Sequence, residues 1–160
     1  MKLNYKKIGE GKPLLILHGL FGSSDNWGTL GKKFAENNLV YLIDLRNHGR
    51  SPHSKEMSYV LMADDLLELI EYENINSPII LGHSMGGKAA LLFAEKYPKY
   101  LDKLIVADIG IKAYPMHHDE ILRGLNSVNL QEISSRTQAQ QSIQVHIDNL
   151  GIQQFLLKNL

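Results

Sequence analysis

The sequence predicts an α/β fold, a mostly parallel sheet with helices on both faces. Three observations predict it. Short apolar runs recur at Pro13–Leu17, Leu39–Asp44, Pro78–Leu81 and Leu104–Asp108. They lack the in-out alternation of a half-exposed strand, so at least the first two read as strands covered on both sides. Stretches with helical character separate them, and strand–helix alternation builds parallel sheets. Finally, Gly82-His83-Ser84-Met85-Gly86 joins an apolar run to a helix-forming stretch.

The elements follow in order. Residues 2–8 read as a strand closed by the turn at Gly9-Glu10-Gly11. Pro13–Leu17 is the second strand, and His18-Gly19-Leu20-Phe21-Gly22 is the loop after it. Trp27–Asn37 reads as helix despite Gly28 and Gly31, and Leu39–Asp44 is the third strand. Arg46–Lys55 is a polar loop with Gly49 and Pro52. Ser58 is a suitable N-cap, and the spacing of Val60, Leu61, Leu66, Leu67, Leu69 and Ile70 predicts an amphipathic helix over about 58–73. The strand at 77–81, a helix stopped by Pro98 and the strand at 104–108 complete residues 1–110. From 111 to 160 only loop and helix are expected, with helices at Asp119–Leu125, Ser135–Leu150 and Gly151–Leu160. The chain therefore divides into a core, 1–110, and helices, 111–160, that read as part of a lid over the carboxyl ends of the strands.

Composition narrows the function. Lys+Arg and Asp+Glu number 17 each, so the formal net charge is zero. That balance argues against nucleic acid or an anionic membrane surface as the main partner. The absence of cysteine removes disulfides, thiolate catalysis and thiolate metal sites. The first residues lack the apolar stretch of a secretion signal, and no run reaches membrane-spanning length. These features predict a soluble, cytoplasmic protein. Nothing in them specifies an oligomeric state.

Gly82–Gly86 reads as a nucleophile elbow, G-x-S-x-G. A sharp strand-to-helix turn strains its central residue, and small neighbours let strand and helix crowd together. The turn lifts the Ser84 hydroxyl clear of the sheet and aims the Met85 N–H at a developing oxyanion. A second oxyanion donor belongs on the loop after an earlier strand, and the Leu20 N–H is the candidate, with Phe21 next. The alternative for both segments is an ordinary glycine-rich βα turn. His18 and His83 adjoin this region and read as loop anchors. Asp44, Arg46 and His48 read as a structural turn network.

Four stretches together resemble the α/β-hydrolase family: His18-Gly-Leu-Phe-Gly22, Asp44-Leu-Arg-Asn-His-Gly-Arg-Ser51, Gly82-His-Ser-Met-Gly-Gly-Lys88 and Phe155-Leu-Leu-Lys-Asn-Leu160. More narrowly they resemble small bacterial carboxylesterases with mitochondrial relatives in animals. The resemblance implies the α/β-hydrolase fold and hydrolysis of small-molecule acyl esters or thioesters by a serine nucleophile, with no cofactor. Other chemistries on this fold remain open: C–C bond hydrolysis, a lyase reaction, a cofactor-free peroxidase, or a binding scaffold without turnover.

In such a site the chain order is serine, acid, histidine. Asp108 closes the strand after the nucleophile helix and is the candidate acid; its alternative is a strand-end turn cap. No histidine sits where the family places its base. His117 and His118 read as lid-loop residues and His146 as lying on a helix face. A metal site at His117-His118-Asp119-Glu120 is disfavoured, because adjacent residues converge poorly on one ion. The sequence thus reads as the first two-thirds of a hydrolase, ending after the start of the lid.

Overall fold

The structure, a computed structural model, describes residues 1–112 and 118–160. It divides into Met1–Ile111 and Lys112–Leu160.

Met1–Ile111 is built on five strands: β1 (Tyr5–Ile8), β2 (Lys12–Leu17), β3 (Asn38–Ile43), β4 (Ile79–His83) and β5 (Lys103–Ala107). Their order across the sheet is β1-β3-β2-β4-β5. β1 runs antiparallel to β3, with Tyr5 opposite Ile43, and the remaining pairings are parallel. Register brings the carboxyl ends level. Leu17 pairs with Ile43 on one side and Gly82 on the other, and His83 pairs with Ala107. From β2 the chain moves first to β3 on one flank and then to β4 on the other. A sheet whose winding reverses in this way opens a crevice at the carboxyl ends of the strands, where ligands bind in such folds.

The apolar runs lack alternation because both faces of β2 and β3 are covered. Leu15, Leu17, Tyr41 and Ile43 point to one face, where α2 (Tyr59–Tyr72) and α3 (Met85–Lys96) supply Leu66, Leu69, Ile70, Ala89, Ala90 and Phe93. Leu14, Ile16, Val40 and Leu42 point to the other. There Trp27 and Phe34 pack, and α1 (Gly28–Phe34) approaches closely at Gly31. A Cβ on Gly31 would lie 2.9 Å from the Leu42 side chain. Full burial of each such side chain contributes about 1.5–3 kcal/mol. The Ser58 side chain caps α2 by accepting from the Leu61 N–H at 3.2 Å.

Two helix expectations are corrected. Trp27–Asn37 is not one helix: Ser24–Trp27 forms a 3-10 turn, and α1 ends at Phe34. The stretch from Ser135 to Leu150 is also broken. α5 covers Arg136–Ile143, and α6 (Leu150–Leu156) begins after Asn149, whose side chain accepts from the Ile152 N–H.

In Lys112–Leu160, α4 (Asp119–Asn126) packs on α5, and α5 on α6. Gly124 lets α4 approach the Ile147 side chain, 2.9 Å from where a Cβ would stand. Gln153 is buried, donates to the Ile147 carbonyl at 2.6 Å and accepts from Gln140 at 3.1 Å.

Candidate active site

The peptide leaves β4 at Ser84 with φ +51° and ψ −114°. A residue other than glycine held there stores roughly 1–3 kcal/mol of backbone strain. Packing on both sides enforces the turn. A Cβ on Gly82 would lie 2.3 Å from the Gly86 carbonyl oxygen, and one on Gly86 would lie 2.6 Å from the carbonyl oxygens of Leu17 and His18. No side chain larger than hydrogen fits at either position. The Ser84 N–H donates to the Ala107 carbonyl at 3.0 Å, and the Ser84 carbonyl accepts from Lys88 N–H at 3.1 Å, which starts α3. Met85 is the first residue of α3, so its N–H has no acceptor within the helix.

The loop after β2 lies directly beside this turn. A Cβ on Gly19 would stand 3.3 Å from the Ser84 Cβ and 2.9 Å from His83 Nδ1. The loop is tightly wound: Gly22 N–H donates to the Gly19 carbonyl at 3.0 Å, and Phe21 adopts φ +59°. Leu20 packs against the α2/α3 side of the core. Ser84, Leu20 and Met85 thus belong to segments that meet at the winding reversal.

His18 is almost fully buried at the end of β2. Its Nδ1 lies 2.8 Å from the Gly19 carbonyl, and its Nε2 accepts from the Leu45 N–H at 3.0 Å. With Nε2 accepting, the proton sits on Nδ1, which donates. Burial lowers its pKa to about 4, so the ring is neutral near pH 7. His48, buried beside it at 5.0 Å between ring centroids, is also lowered by burial.

The turn after β3 is organised by Asp44. Its carboxylate accepts from Ser24 N–H at 2.6 Å, Asn4 Nδ2 at 2.7 Å and Arg50 N–H at 3.1 Å. Burial alone would raise its pKa, but these donors outweigh burial and hold it below the usual carboxylate value. Gly49 adopts φ +54°, and a Cβ there would lie 2.4 Å from the Asp44 carboxyl carbon. Arg46 reaches the other way. Its Nε and Nη2 donate to the two oxygens of buried Asp65 on α2 at 2.6 and 2.8 Å. Asp65 is a partner that sequence reading did not pick out. Its signal was available: it lies four residues from both Leu61 and Leu69, on a helix face that is otherwise apolar.

Asp108 follows β5 with φ +56°, one position past the His83–Ala107 pair and therefore level with Ser84. Its carboxylate is 87% exposed and lies 3.6 Å from His83 Nε2. His83 also meets Trp27 edge-on, at 6.2 Å between ring centroids. Both contacts join residues distant in sequence, and no local pattern signals them. His118 precedes α4 and His146 follows α5, both in Lys112–Leu160; His117 lies outside the described residues. Among the described residues, no cluster of three or more His, Cys, Asp or Glu is placed to hold a metal.

The alpha/beta hydrolase fold model matches residues 12–129. The chain belongs to the α/β-hydrolase fold family. Esterases and lipases are among its relatives. It is 37% identical to Esterase YbfF of Escherichia coli over 99% of this chain and 65% of that protein. It is 36% identical to the sn-1-specific diacylglycerol lipase ABHD11 of Mus musculus, over 92% of this chain and 50% of that one. The solved structure of a marine microorganism esterase superposes with a TM-score of 0.96 at 45% identity, covering 99% of this chain and 63% of its own. The chain therefore spans about half to two-thirds of the length of these hydrolases. Among the described residues, no helix is long and apolar enough to cross a membrane.

Proposed function

We propose that this chain carries the nucleophile and oxyanion-binding part of a serine hydrolase that cleaves small-molecule carboxylic esters or thioesters. The observation that carries the reading is Ser84, held at φ +51° on a β4-to-α3 turn between two glycines that admit no side chain. A strained, packed turn of this kind presents its hydroxyl above the sheet and not within it. The esterase and lipase relatives support the reaction class.

In this reading Ser84 Oγ attacks the acyl carbonyl carbon as a base takes its proton. The carbonyl oxygen becomes an oxyanion, stabilised by the N–H groups of Leu20 and Met85. The tetrahedral intermediate collapses, the bond to the leaving oxygen or sulfur breaks, and the leaving group takes the proton from the base. Water then attacks the acyl-enzyme and releases the carboxylic acid. Asp108, level with Ser84, orients the base. His18 is not that base, because both of its ring nitrogens are committed to the backbone.

Intact mass spectrometry after treatment with a fluorophosphonate tests the reading. A single adduct that disappears in Ser84→Ala is the expected result. An adduct that persists in Ser84→Ala overturns it, as does no adduct on the wild type when the base is also supplied.

A further inference from the structure

His18 sits beneath the loop that supplies the first oxyanion donor, and its hydrogen bonds converge on one peptide unit. The carbonyl of Gly19 accepts from His18 Nδ1–H at 2.8 Å and from Gly22 N–H at 3.0 Å. The Gly19 carbonyl and the Leu20 N–H belong to the same peptide group. That group is planar and trans, so its C=O and N–H point in opposite directions. Holding the carbonyl from two sides therefore fixes where the Leu20 N–H points. Gly19 and Gly22 widen the backbone freedom of this loop, so the two bonds to the Gly19 carbonyl add to the packing of Leu20 in fixing this peptide.

The imidazole is itself locked. Leu45 N–H donates to Nε2 at 3.0 Å, which places the ring proton on Nδ1, the nitrogen facing Gly19. Leu45 is fully buried in the turn that Asp44 organises, and Asp44 also accepts from Ser24 N–H at the far end of the same loop. The turn after β3 thereby holds both ends of residues 18–24. We infer that His18 is a positioning residue that aims the Leu20 N–H at the oxyanion, with its tautomer set by the Leu45 N–H. The inference rests on the serine-hydrolase reading above.

Two amide variants separate this role from a merely structural one. Asn at position 18 can place a donor near the Nδ1 position and keep the bond to Gly19. Gln reaches toward the Nε2 position and keeps the bond from Leu45 but not the one to Gly19. Both disturb the same buried site, so general loss of packing would affect them alike. The rate of Ser84 phosphonylation is the first readout, on full-length protein shown by circular dichroism to be folded. His18→Gln is expected to slow it roughly 100-fold, the scale of a misplaced oxyanion donor. His18→Asn is expected to recover the rate to within about 3-fold of wild type.

The second readout needs no activity. Hydrogen exchange at the Gly22 amide, which donates to the same carbonyl, should quicken at least about 10-fold in His18→Gln and stay near wild type in His18→Asn. Equal rates in the two variants, for labelling or for exchange, overturn the inference. If the wild type takes no adduct even when the base is supplied, the hydrolase reading fails. The exchange comparison then still decides whether His18 holds this peptide.

Discussion

Two buried histidines and one buried aspartate give this fold a defined response to pH. A histidine whose pKa is lowered on folding, as burial lowers His18 to about 4, binds fewer protons folded than unfolded between its two pKa values. Its environment is therefore fully tolerated above about pH 6.5, the ordinary histidine value. Stability then declines as pH falls toward 4 and levels off below, with a loss on the order of 3 kcal/mol. His48 is shifted the same way by the same cause. Asp44 is lowered, so its contribution is present above the usual carboxylate range and is lost as pH falls through its depressed folded value. Urea midpoints between pH 7.5 and 4.5 check this. The wild-type midpoint should fall across the window, and His18→Asn should flatten the fall. At this scale the sequence read His18 as a loop anchor beside the candidate site and Asp44 and His48 as parts of a structural turn. It did not show their partners. The acceptor of His18 Nδ1–H is local, but the donor to its Nε2 is Leu45, 27 residues away.

At the scale of elements, the most legible part of the chain was the strand–turn–helix around Ser84. Local sterics dictate it: the Gly82 and Gly86 backbones touch neighbours that no side chain could share. The same holds for α2, where a serine cap and an apolar stripe place the start and the buried face. What stayed hidden on α2 is the tie through Arg46 and Asp65, both under a tenth exposed. It fastens the turn after β3 to the helix packed beneath the sheet. Asp65 also pairs with the Met1 ammonium, 2.8 Å from its Oδ1, so removing Arg46 leaves the carboxylate one cationic partner. Arg46→Ala should therefore cost about 1.5–3 kcal/mol, the worth of the lost charged hydrogen bonds, whereas a double change of Arg46→Met with Asp65→Leu should regain part of the loss. Urea denaturation of the single and double variants checks both values. A double variant as unstable as Arg46→Ala would mean that the hydrogen-bonded fork itself, including Arg46 Nη1 on the Glu56 carbonyl at 3.0 Å, sets the turn. The break between α5 and α6 was missed because glutamine is a good helix former, so the pattern reads through a boundary that a single capping asparagine decides.

For the molecule as a whole, strand order matters more than strand identity. Among the described residues β5 pairs only with β4, and Ile105 on it is 46% exposed. An exposed apolar side chain on an open strand edge invites pairing between copies. Ile105→Lys should reduce concentration-dependent light scattering while shifting unfolding free energy by no more than about 0.5 kcal/mol, as a surface change does. Unchanged scattering would show that the edge is not the route of association.

The sequence alone determined that strands alternate with helices, that β2 and β3 are covered on both faces, and that a strained serine turn follows β4. Each of these depends on neighbours within a few residues: unbroken apolar runs, a capping side chain, glycines two positions from Ser84. Only the tertiary structure decided which strands lie side by side. That order brings the turn after β2 against Ser84, sets Asp108 level with it, and hands His18 a donor from the end of β3. The physical reason is that strand pairing is satisfied by backbone groups common to every residue. Sequence marks where a strand is, and packing of the whole sheet selects its neighbour.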